Sequence, residues 1–346
     1  MSRARFAAVV AAAALVAAGC GGGKSPKKQA PSTTAAPEAL TTVATVAAGV
    51  APLTGLPGDP AKLNRPALLV KIDNAPKARP QAGLNQADVV VEEGVEGGIT
   101  RFATIFHSGD SDPVGPVRSA RTSDIAIASA LNHPLFAYSG TNADFEKLLD
   151  KAPLVNVGPG RFPGGYHRQS GRPAPYNYFS ATATLFSRAA AGAAPPAPWF
   201  EYRPGGQAPA GGQPSTGAHL EFRGKVVTAV DWAWDGAAAA WKRTNNGTTH
   251  VDAGGQQVTA ANVVIEFVAY KDTGYTDQSG AAVPEAQLLG EGEVWVLTNG
   301  SVIKGRWQKP TAEAVTRLVD GGGQPIRLTP GRTWVELPAP GLAQLR

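Results

Sequence analysis

The chain has 346 residues, 43% of them hydrophobic and 17% charged, which is long and apolar enough for more than one folded domain. It contains a single cysteine, which excludes an intramolecular disulfide and leaves the fold to be held by its core. The formal net charge is +5, but residues 1–51 hold five lysines and arginines against one glutamate, so residues 52–346 carry only about +1 and show no basic excess that would indicate nucleic-acid binding.

A lipoprotein signal peptide is predicted for residues 1–19. Arg3 and Arg5 form a positive start, residues 6–18 are small or apolar, and Gly19 precedes Cys20. The apolar run is shorter than the ~20 residues of a transmembrane helix. Residues 16–20, Val-Ala-Ala-Gly-Cys, resemble a lipobox, in which the cysteine is acylated and becomes the mature N-terminus, although Ala17 stands where that pattern usually has leucine. An ordinary secreted protein with an incidental cysteine is the weaker alternative, because Cys20 is the only cysteine.

Residues 20–51 are predicted to be a lipidated, disordered tether. They are rich in Gly, Pro, Ser, Thr and Ala and have almost no large apolar side chains with which to bury surface. Palmitate or other acyl chains on Cys20 would bind the membrane with about 0.8 kcal/mol per buried methylene. The predicted location is therefore extracytoplasmic, with the protein anchored to the cell membrane by a lipid.

Residues 52–195 are predicted to form a mixed α/β domain. Thr122 or Ser123 can cap one helix and Thr141 a second, in which Phe145 and Leu149 share a face. The predicted strands are 67–72, 89–95, 101–107, 135–138 and 154–157, and the predicted helices are 122–131, 142–150 and 180–190.

A Pro/Gly-rich linker, 196–217, separates this domain from a predicted β domain at residues 218–346. Asn299-Gly300 is a strong hairpin signal, because a type I′ turn needs positive φ at both central residues. The predicted fold class is therefore α+β, an N-terminal mixed α/β domain followed by a smaller, mostly-β domain. The predicted strands of the second domain are 226–232, 248–251, 262–270, 292–297, 301–307 and 333–337.

Six of the seven tryptophans fall in the second domain. Trp232 and Trp234 share one side of a predicted strand, where exposed rings could stack on sugars or on a protein partner. Filling of the core is the favoured interpretation, because large aromatic side chains dominate core burial.

Long motifs in both domains resemble the YerB-like family of bacterial lipoproteins, whose activity is uncharacterised. The resemblance covers nearly all of residues 52–340. It implies an envelope location and a division into two domains, and it implies little about a reaction or a ligand. The motifs that carry it include Ile72-Asp73-Asn74, Val95-Glu96-Gly97-Gly98-Ile99-Thr100-Arg101-Phe102, Gly115-Pro116-Val117-Arg118-Ser119-Ala120-Arg121, Gly305-Arg306-Trp307 and Pro330-Gly331-Arg332-Thr333-Trp334.

Charged residues next to glycines and predicted strand ends form the candidate ligand-binding site. Such positions are where a rigid sheet often carries a site. Arg118 and Arg121 stand at or just before a predicted helix start, where backbone N–H groups favour an anion, and two guanidiniums suit a phosphate or a carboxylate. The full set is Asp73, Arg79, Glu92, Glu96, Arg101, Arg118, Arg121 and Asp124.

An equally weighted interpretation is that these charges form internal salt bridges that hold loops together. A structural network would leave the arginines buried and paired, whereas a binding site would leave at least one guanidinium facing a cleft. The geometry of the arginines therefore distinguishes the two.

No motif assigns a reaction. The chain lacks a Gly-x-Ser-x-Gly elbow, and its five histidines lie in different segments without metal spacing, so neither a metal nor a cofactor is expected. Strand-end acids beside arginines are loosely similar to the LytR-CpsA-Psr proteins, which handle polyprenyl-pyrophosphate glycans, but no motif matches residue by residue. The sequence predicts an exported cell-envelope binding or accessory lipoprotein, with an arginine-lined cleft for an anionic envelope ligand or wall glycan. The alternative is an enzyme acting on a phosphorylated or glycan envelope precursor. A purely structural interaction module is a third class, and the sequence leaves a protein partner open.

Overall fold

The strands and helices are those of a computed structural model that describes residues 48–277 and 280–346. The predicted signal peptide, Cys20 and residues 21–47 of the predicted tether lie outside these ranges. Residues 48–51, predicted as the end of the tether, belong to the fold, since Val50 forms a β-bridge with Pro57 and Ala51 is buried. No helix in the described ranges is long and apolar enough to cross a membrane.

The described part of residues 48–195 contains four short α-helices and seven strands. Three 3₁₀ helices, Pro76–Ala78, Glu96–Gly98 and Pro163–Gly165, interrupt the connections. The elements are α1 (Pro60–Leu63), β1 (Leu68–Asp73), β2 (Val89–Gly94), β3 (Thr100–Phe106), α2 (Ser123–Ser129), β4 (Leu135–Ala137), α3 (Ala143–Leu149), β5 (Val155–Asn156), β6 (His167–Arg168), β7 (Tyr178–Phe179) and α4 (Thr182–Phe186).

Residues 196–346, as far as they are described, form strands joined by turns. The strands are β8 (Gln213–Pro214), β9 (Gly217–Arg223), β10 (Val227–Asp235), β11 (Ala240–Asn245), β12 (Thr248–Thr249), β13 (Thr259–Ala260), β14 (Asn262–Glu266), β15 (Tyr270–Thr276), β16 (Ala282–Ala286), β17 (Gly290–Thr298), β18 (Ser301–Lys309), β19 (Arg317–Asp320), β20 (Thr333–Leu337) and β21 (Ala343–Leu345).

One sheet runs through both halves of the chain, in the order β19-β18-β17-β14-β20-β2-β3-β1-β4-β5, with β8 against β18. The halves meet where β2 pairs in parallel with β20, in a register that sets Glu92 beside Glu336. At the other end β1, β4 and β5 are parallel neighbours. The division into domains at 52–195 and 218–346 stays a prediction, while the hydrogen-bonded sheet crosses that division.

The large sheet has a hydrophobic core on each side. Alternation along β1 sends Leu69 to the side that carries α2 and α3, and Leu68 and Val70 to the side covered by the second sheet, β12-β11-β10-β9-β21. Trp232 and Trp241 lie fully buried between the two sheets. Core filling by tryptophan, the favoured interpretation, holds for these two residues and for Trp307 and Trp334, whereas Trp234 and Trp295 are half-buried.

The predicted α+β fold class is confirmed, and so is the hairpin at Asn299-Gly300, where both residues have positive φ and Thr298 pairs with Ser301. Two helix details were wrong. The helix predicted at 180–190 is limited to Thr182–Phe186, and the N-cap of α3 is Asn142, whose Oδ1 accepts a hydrogen bond from the backbone N–H of Phe145 at 2.8 Å. An amide oxygen serves at this position as well as the Thr141 hydroxyl would have done.

Candidate functional site

A cleft of about 660 Å³ opens beside the carboxyl ends of β1, β4 and β5. Its wall includes residues 139–142, which follow β4, and Pro159, which follows β5. Residues 118–122 complete this side, and they run past the end of β1 because Val117 bridges to Ile72. Ligands of open sheets commonly bind outside the carboxyl ends of parallel strands, so the topology favours a site here.

The opposite wall comes from two small β-hairpins that stand apart from the main sheets. The β6–β7 pair contributes Arg168 and Tyr178, and the β15–β16 pair contributes Tyr275. The base of the second hairpin is fixed to the rest of the fold: the Tyr270 hydroxyl accepts a hydrogen bond from the backbone N–H of Gly94 at 2.9 Å and donates to the carbonyl of Leu337 at 2.8 Å. Both halves of the chain therefore build the cleft.

Arg118 presents a partly free guanidinium to the cleft. Its Nε donates to Asp73 Oδ2 at 2.9 Å, and its side chain is 28% exposed while that of Asp73 is 2% exposed. Within the described ranges, neither of its terminal nitrogens has a hydrogen-bond partner. The second carboxylate oxygen of Asp73 is also hydrogen-bonded, since Oδ1 accepts from the backbone N–H of Ala75 at 3.0 Å. Asp73 thus orients Arg118 and leaves its two outer nitrogens for a ligand.

Arg121 also lines the cleft, but its guanidinium is held in an ion pair with Glu96 and both of its terminal nitrogens donate hydrogen bonds within the protein. Its Nε lies 2.6 Å from Glu96 Oε1, its Nη2 donates to Glu96 Oε2 at 2.6 Å, and its Nη1 donates to the carbonyl of Ala120 at 2.7 Å. Arg101 is buried behind it, with its Nη2 3.9 Å from Glu96 and its Nη1 donating to the carbonyl of Ser119. These residues shape the segment that carries Arg118.

The charges around Arg118 are unbalanced. Arg101, Arg118 and Arg121 share two carboxylates, Asp73 and Glu96. Burial and the nearby Arg121 guanidinium lower the pKa of Arg101 to about 10, and the Arg101 Nε is a buried donor with no partner in the described chain. These three guanidiniums exceed the two carboxylates by one charge, and the cleft wall adds one further cation and one acid, Arg168 and Asp277, so an excess of one positive charge remains and favours an anion in the cleft.

The start of α2 is already occupied by an acid of the chain. Asp124 Oδ2 accepts the backbone N–H of Arg121 at 2.7 Å, and Asp124 Oδ1 accepts from Lys71 Nζ at 2.7 Å. Lys71 also pairs with Glu93, and all three of these charged side chains are buried. Burial raises the pKa of Asp124 to about 6. The position where the sequence predicts an external anion therefore holds an internal carboxylate.

Glu92 and Arg79 lie away from the cleft. Glu92 is fully buried and pairs with Arg243 from β11, and it accepts a hydrogen bond from the Thr100 hydroxyl at 2.6 Å. Arg79 donates to Asn74, to Oδ1 at 3.1 Å and to the carbonyl at 3.0 Å. Both residues belong to a polar network between the two sheets.

Of the eight predicted site residues, Arg118 and Arg121 line the cleft. Asp73, Glu96 and Arg101 support them, and Asp124, Glu92 and Arg79 lie in separate ion pairs or hydrogen bonds. Sequence reasoning missed Arg168, Tyr178 and Tyr275. Glycines 164 and 165 just before Arg168 were a usable signal, whereas Tyr275 lies in a polar, exposed hairpin without one. No group of three metal-ligating side chains occurs in residues 48–277 and 280–346.

Comparisons with known proteins place most of the chain in one family. The model described as "Protein of unknown function (DUF3048) N-terminal domain" matches residues 53–194, and the C-terminal domain model of the same description matches residues 219–335. The chain is 28% identical over 293 residues to "Putative lipoprotein YerB" of Bacillus subtilis (strain 168). The aligned region covers 83% of this chain and 85% of the relative. Its fold is similar to the crystal structure of YerB protein from Bacillus subtilis, with a TM-score of 0.74 and 25% identity over 86% of this chain and 99% of that one.

Proposed function

Because the chain belongs to the YerB-like DUF3048 family of proteins of unknown function, we propose its activity from its own residues: it is an exported cell-envelope lipoprotein that binds an anionic ligand in the cleft at Arg118. The observation that carries the proposal is the Arg118 guanidinium. It faces a cleft of about 660 Å³ with two nitrogens that have no partner in residues 48–277 and 280–346, and a positive charge excess lies around it. Arg168, exposed on the facing hairpin, adds a second guanidinium.

The burial and pairing of the four predicted acids favour binding over catalysis. Glu92, Glu96 and Asp124 are buried in ion pairs, and the Asp73 carboxylate accepts from Arg118 and from a backbone N–H. A general acid or base must reach the proton it transfers. None of the four predicted acids lines the cleft, so none of them is placed there as a general acid or base; the acid in the wall is Asp277, which the sequence did not single out.

The lipid anchor rests on residues 16–20 and on the similarity to a relative named as a lipoprotein. Cys20→Ser is expected to abolish palmitate labelling and to move the protein from the membrane fraction to the soluble fraction, because the thiol that would carry the acyl chains is removed and their membrane affinity is lost. Ser25→Ala is the matched control and should stay labelled and membrane-bound. A Cys20→Ser protein that sediments with membranes and is labelled like the wild type would refute lipidation at this residue.

Arg118→Gln is expected to weaken binding of inorganic phosphate to the full chain by at least about tenfold, because hydrogen bonds to charged groups contribute roughly 1.5–3 kcal/mol. The measurement is isothermal titration calorimetry at low ionic strength. Arg168→Gln should weaken binding less, since Arg168 is more exposed and already donates to Asn177. Arg121 is unsuitable for this test because its bonds to Glu96 hold the backbone segment.

Arg327→Gln is the control, because Arg327 is an exposed arginine paired with Glu201 outside the cleft. It should bind phosphate like the wild type. Equal affinity in Arg118→Gln and Arg327→Gln would show that the cleft is not the anion site. Thermal unfolding of each variant checks that the loss of the Asp73 partner has not unfolded the protein.

A further inference from the structure

The size of the cleft indicates a ligand with a body as well as an anionic group. Its volume, about 660 Å³, lies within the ~300–1,000 Å³ typical of pockets that enclose whole small molecules. A free phosphate or carboxylate would contact Arg118 and leave most of the cleft to water. The chemistry of the other residues in the wall therefore indicates what the rest of the ligand is.

Much of the wall near Arg118 consists of neutral hydrogen-bonding groups that are unused by the protein. The hydroxyls of Ser119, Ser139 and Thr141 make no hydrogen bond within the described chain, and neither does the amide nitrogen of Asn142, whose oxygen caps α3.

Two tyrosines in the wall can pack against the body of a ligand. Tyr178 stacks on Tyr166 with centroids 5.0 Å apart and an interplanar angle of 10°, so one face of its ring is covered, and the guanidinium of Arg168 lies 5.4 Å from its ring centroid. The half-buried Tyr275 has a ring that suits the C–H face of a sugar and equally the face of a base. The hydroxyls of the wall, and not its aromatic rings, therefore favour a sugar, and AMP serves in the test as the flat alternative.

We infer that the cleft binds an acidic saccharide, a short sugar chain whose carboxylate or phosphate group meets Arg118 and whose hydroxyls meet Ser139 and Thr141. This inference rests on the proposed anion-binding function and specifies its ligand. The positive excess selects the acid, and the hydroxyls beside Arg118 that make no hydrogen bond in the described chain select the polyhydroxylated body.

The test is calorimetric titration of the full chain with trigalacturonate, maltotriose, inorganic phosphate and AMP. Trigalacturonate is expected to bind at least tenfold more tightly than phosphate and at least tenfold more tightly than neutral maltotriose. The double variant Ser139→Ala/Thr141→Val should lose at least fivefold in trigalacturonate affinity and keep its phosphate affinity. Thr248→Val, at an exposed position on β12 outside the cleft, is the control and should bind all four probes like the wild type.

The outcomes separate this inference from the proposed function. Phosphate binding that depends on Arg118, without any gain for trigalacturonate or any loss in the double variant, overturns the saccharide and leaves the anion site. Equal affinity for maltotriose overturns the acidic group, and tighter binding of AMP assigns the cleft to a nucleotide instead. Binding of neither phosphate nor trigalacturonate overturns both proposals.

Discussion

Arg243→Met is expected to lower the free energy of unfolding by about 3–5 kcal/mol at pH 7, the cost of leaving buried charges without their partner. Arg243 is fully buried between the sheets, where it pairs with Glu92 and places its Nε 3.9 Å from Glu336 Oε1. The two glutamates are side by side on parallel strands and point to the same side of the sheet. Methionine keeps much of the volume and removes the only cation paired with these two acids in the described residues.

The free energy of unfolding lost in Arg243→Met is expected to be larger at neutral pH than at acidic pH. Burial and the neighbouring Glu92 carboxylate raise the pKa of Glu336 well above its ordinary value. The folded protein therefore holds a proton that the unfolded chain releases, and stability falls as pH rises above about 4.5. The loss in Arg243→Met should be smaller at pH 4, because a protonated Glu336 carboxyl needs no cation.

Urea unfolding followed by tryptophan fluorescence at pH 4 and pH 7 measures both effects. Arg306→Met is the matched control, because Arg306 is exposed and its ion pair with Glu291 at 2.8 Å lies on the surface. Such pairs contribute about 0–1 kcal/mol. If Arg243→Met costs no more than Arg306→Met, the buried network does not stabilise the junction of the two halves.

Glu266→Gln is expected to remove about 3 kcal/mol of pH dependence from the stability of the protein between pH 4.5 and pH 7. Glu266 is 6% exposed and lines a small, mostly apolar cavity of about 40 Å³ with Trp199 and Leu288. Burial raises the pKa of Glu266 to about 7, and each pKa unit corresponds to about 1.4 kcal/mol. The folded state thus keeps a proton that the unfolded state loses, so this group lowers stability as pH rises through that window.

The neighbouring Lys309 contributes with the opposite sign at higher pH. Burial lowers its pKa to about 8, so the unfolded chain binds the proton more strongly and stability rises from pH 8 towards 10.5. Glu266→Gln should keep this rise and lose the fall below pH 7. Glu291→Gln, exposed on β17, is the control and should follow the wild-type profile within about 0.5 kcal/mol. Parallel profiles for wild type and Glu266→Gln would contradict a buried, protonated Glu266.

Much of the fold was predictable because its strands follow local patterns. Strands β1 and β2 each begin with three consecutive apolar residues, β3 carries four apolar residues among its seven, and the Asn299-Gly300 turn needs only its own two residues to be identified. The hairpin β15–β16 was not predicted, because its half-exposed, polar strands lack the apolar alternation of a buried strand. Strand β9 was missed despite such an alternation.

The candidate site, like the fold, was predictable from the sequence only in part. The arginines at 118 and 121 were found because they stand beside a predicted helix start, but whether each is free depends on carboxylates distant in sequence. Glu96 occupies Arg121, while Asp73 takes only the Nε of Arg118. The facing wall, with Arg168 and Tyr275, comes from segments that sequence spacing does not connect.

The sequence alone therefore determined the family, the α+β class and the segment that carries Arg118, because each depends on residues close together in the chain, and it predicts the lipid anchor at Cys20 in the same way. Tertiary structure decided that one sheet crosses both halves and that two hairpins form the far wall of the cleft at Arg118. It also decided that most of the predicted site charges form ion pairs within the protein. The physical reason is that burial and charge pairing arise between residues up to about 150 positions apart, such as Glu92 and Arg243, and only the folded chain brings them into contact.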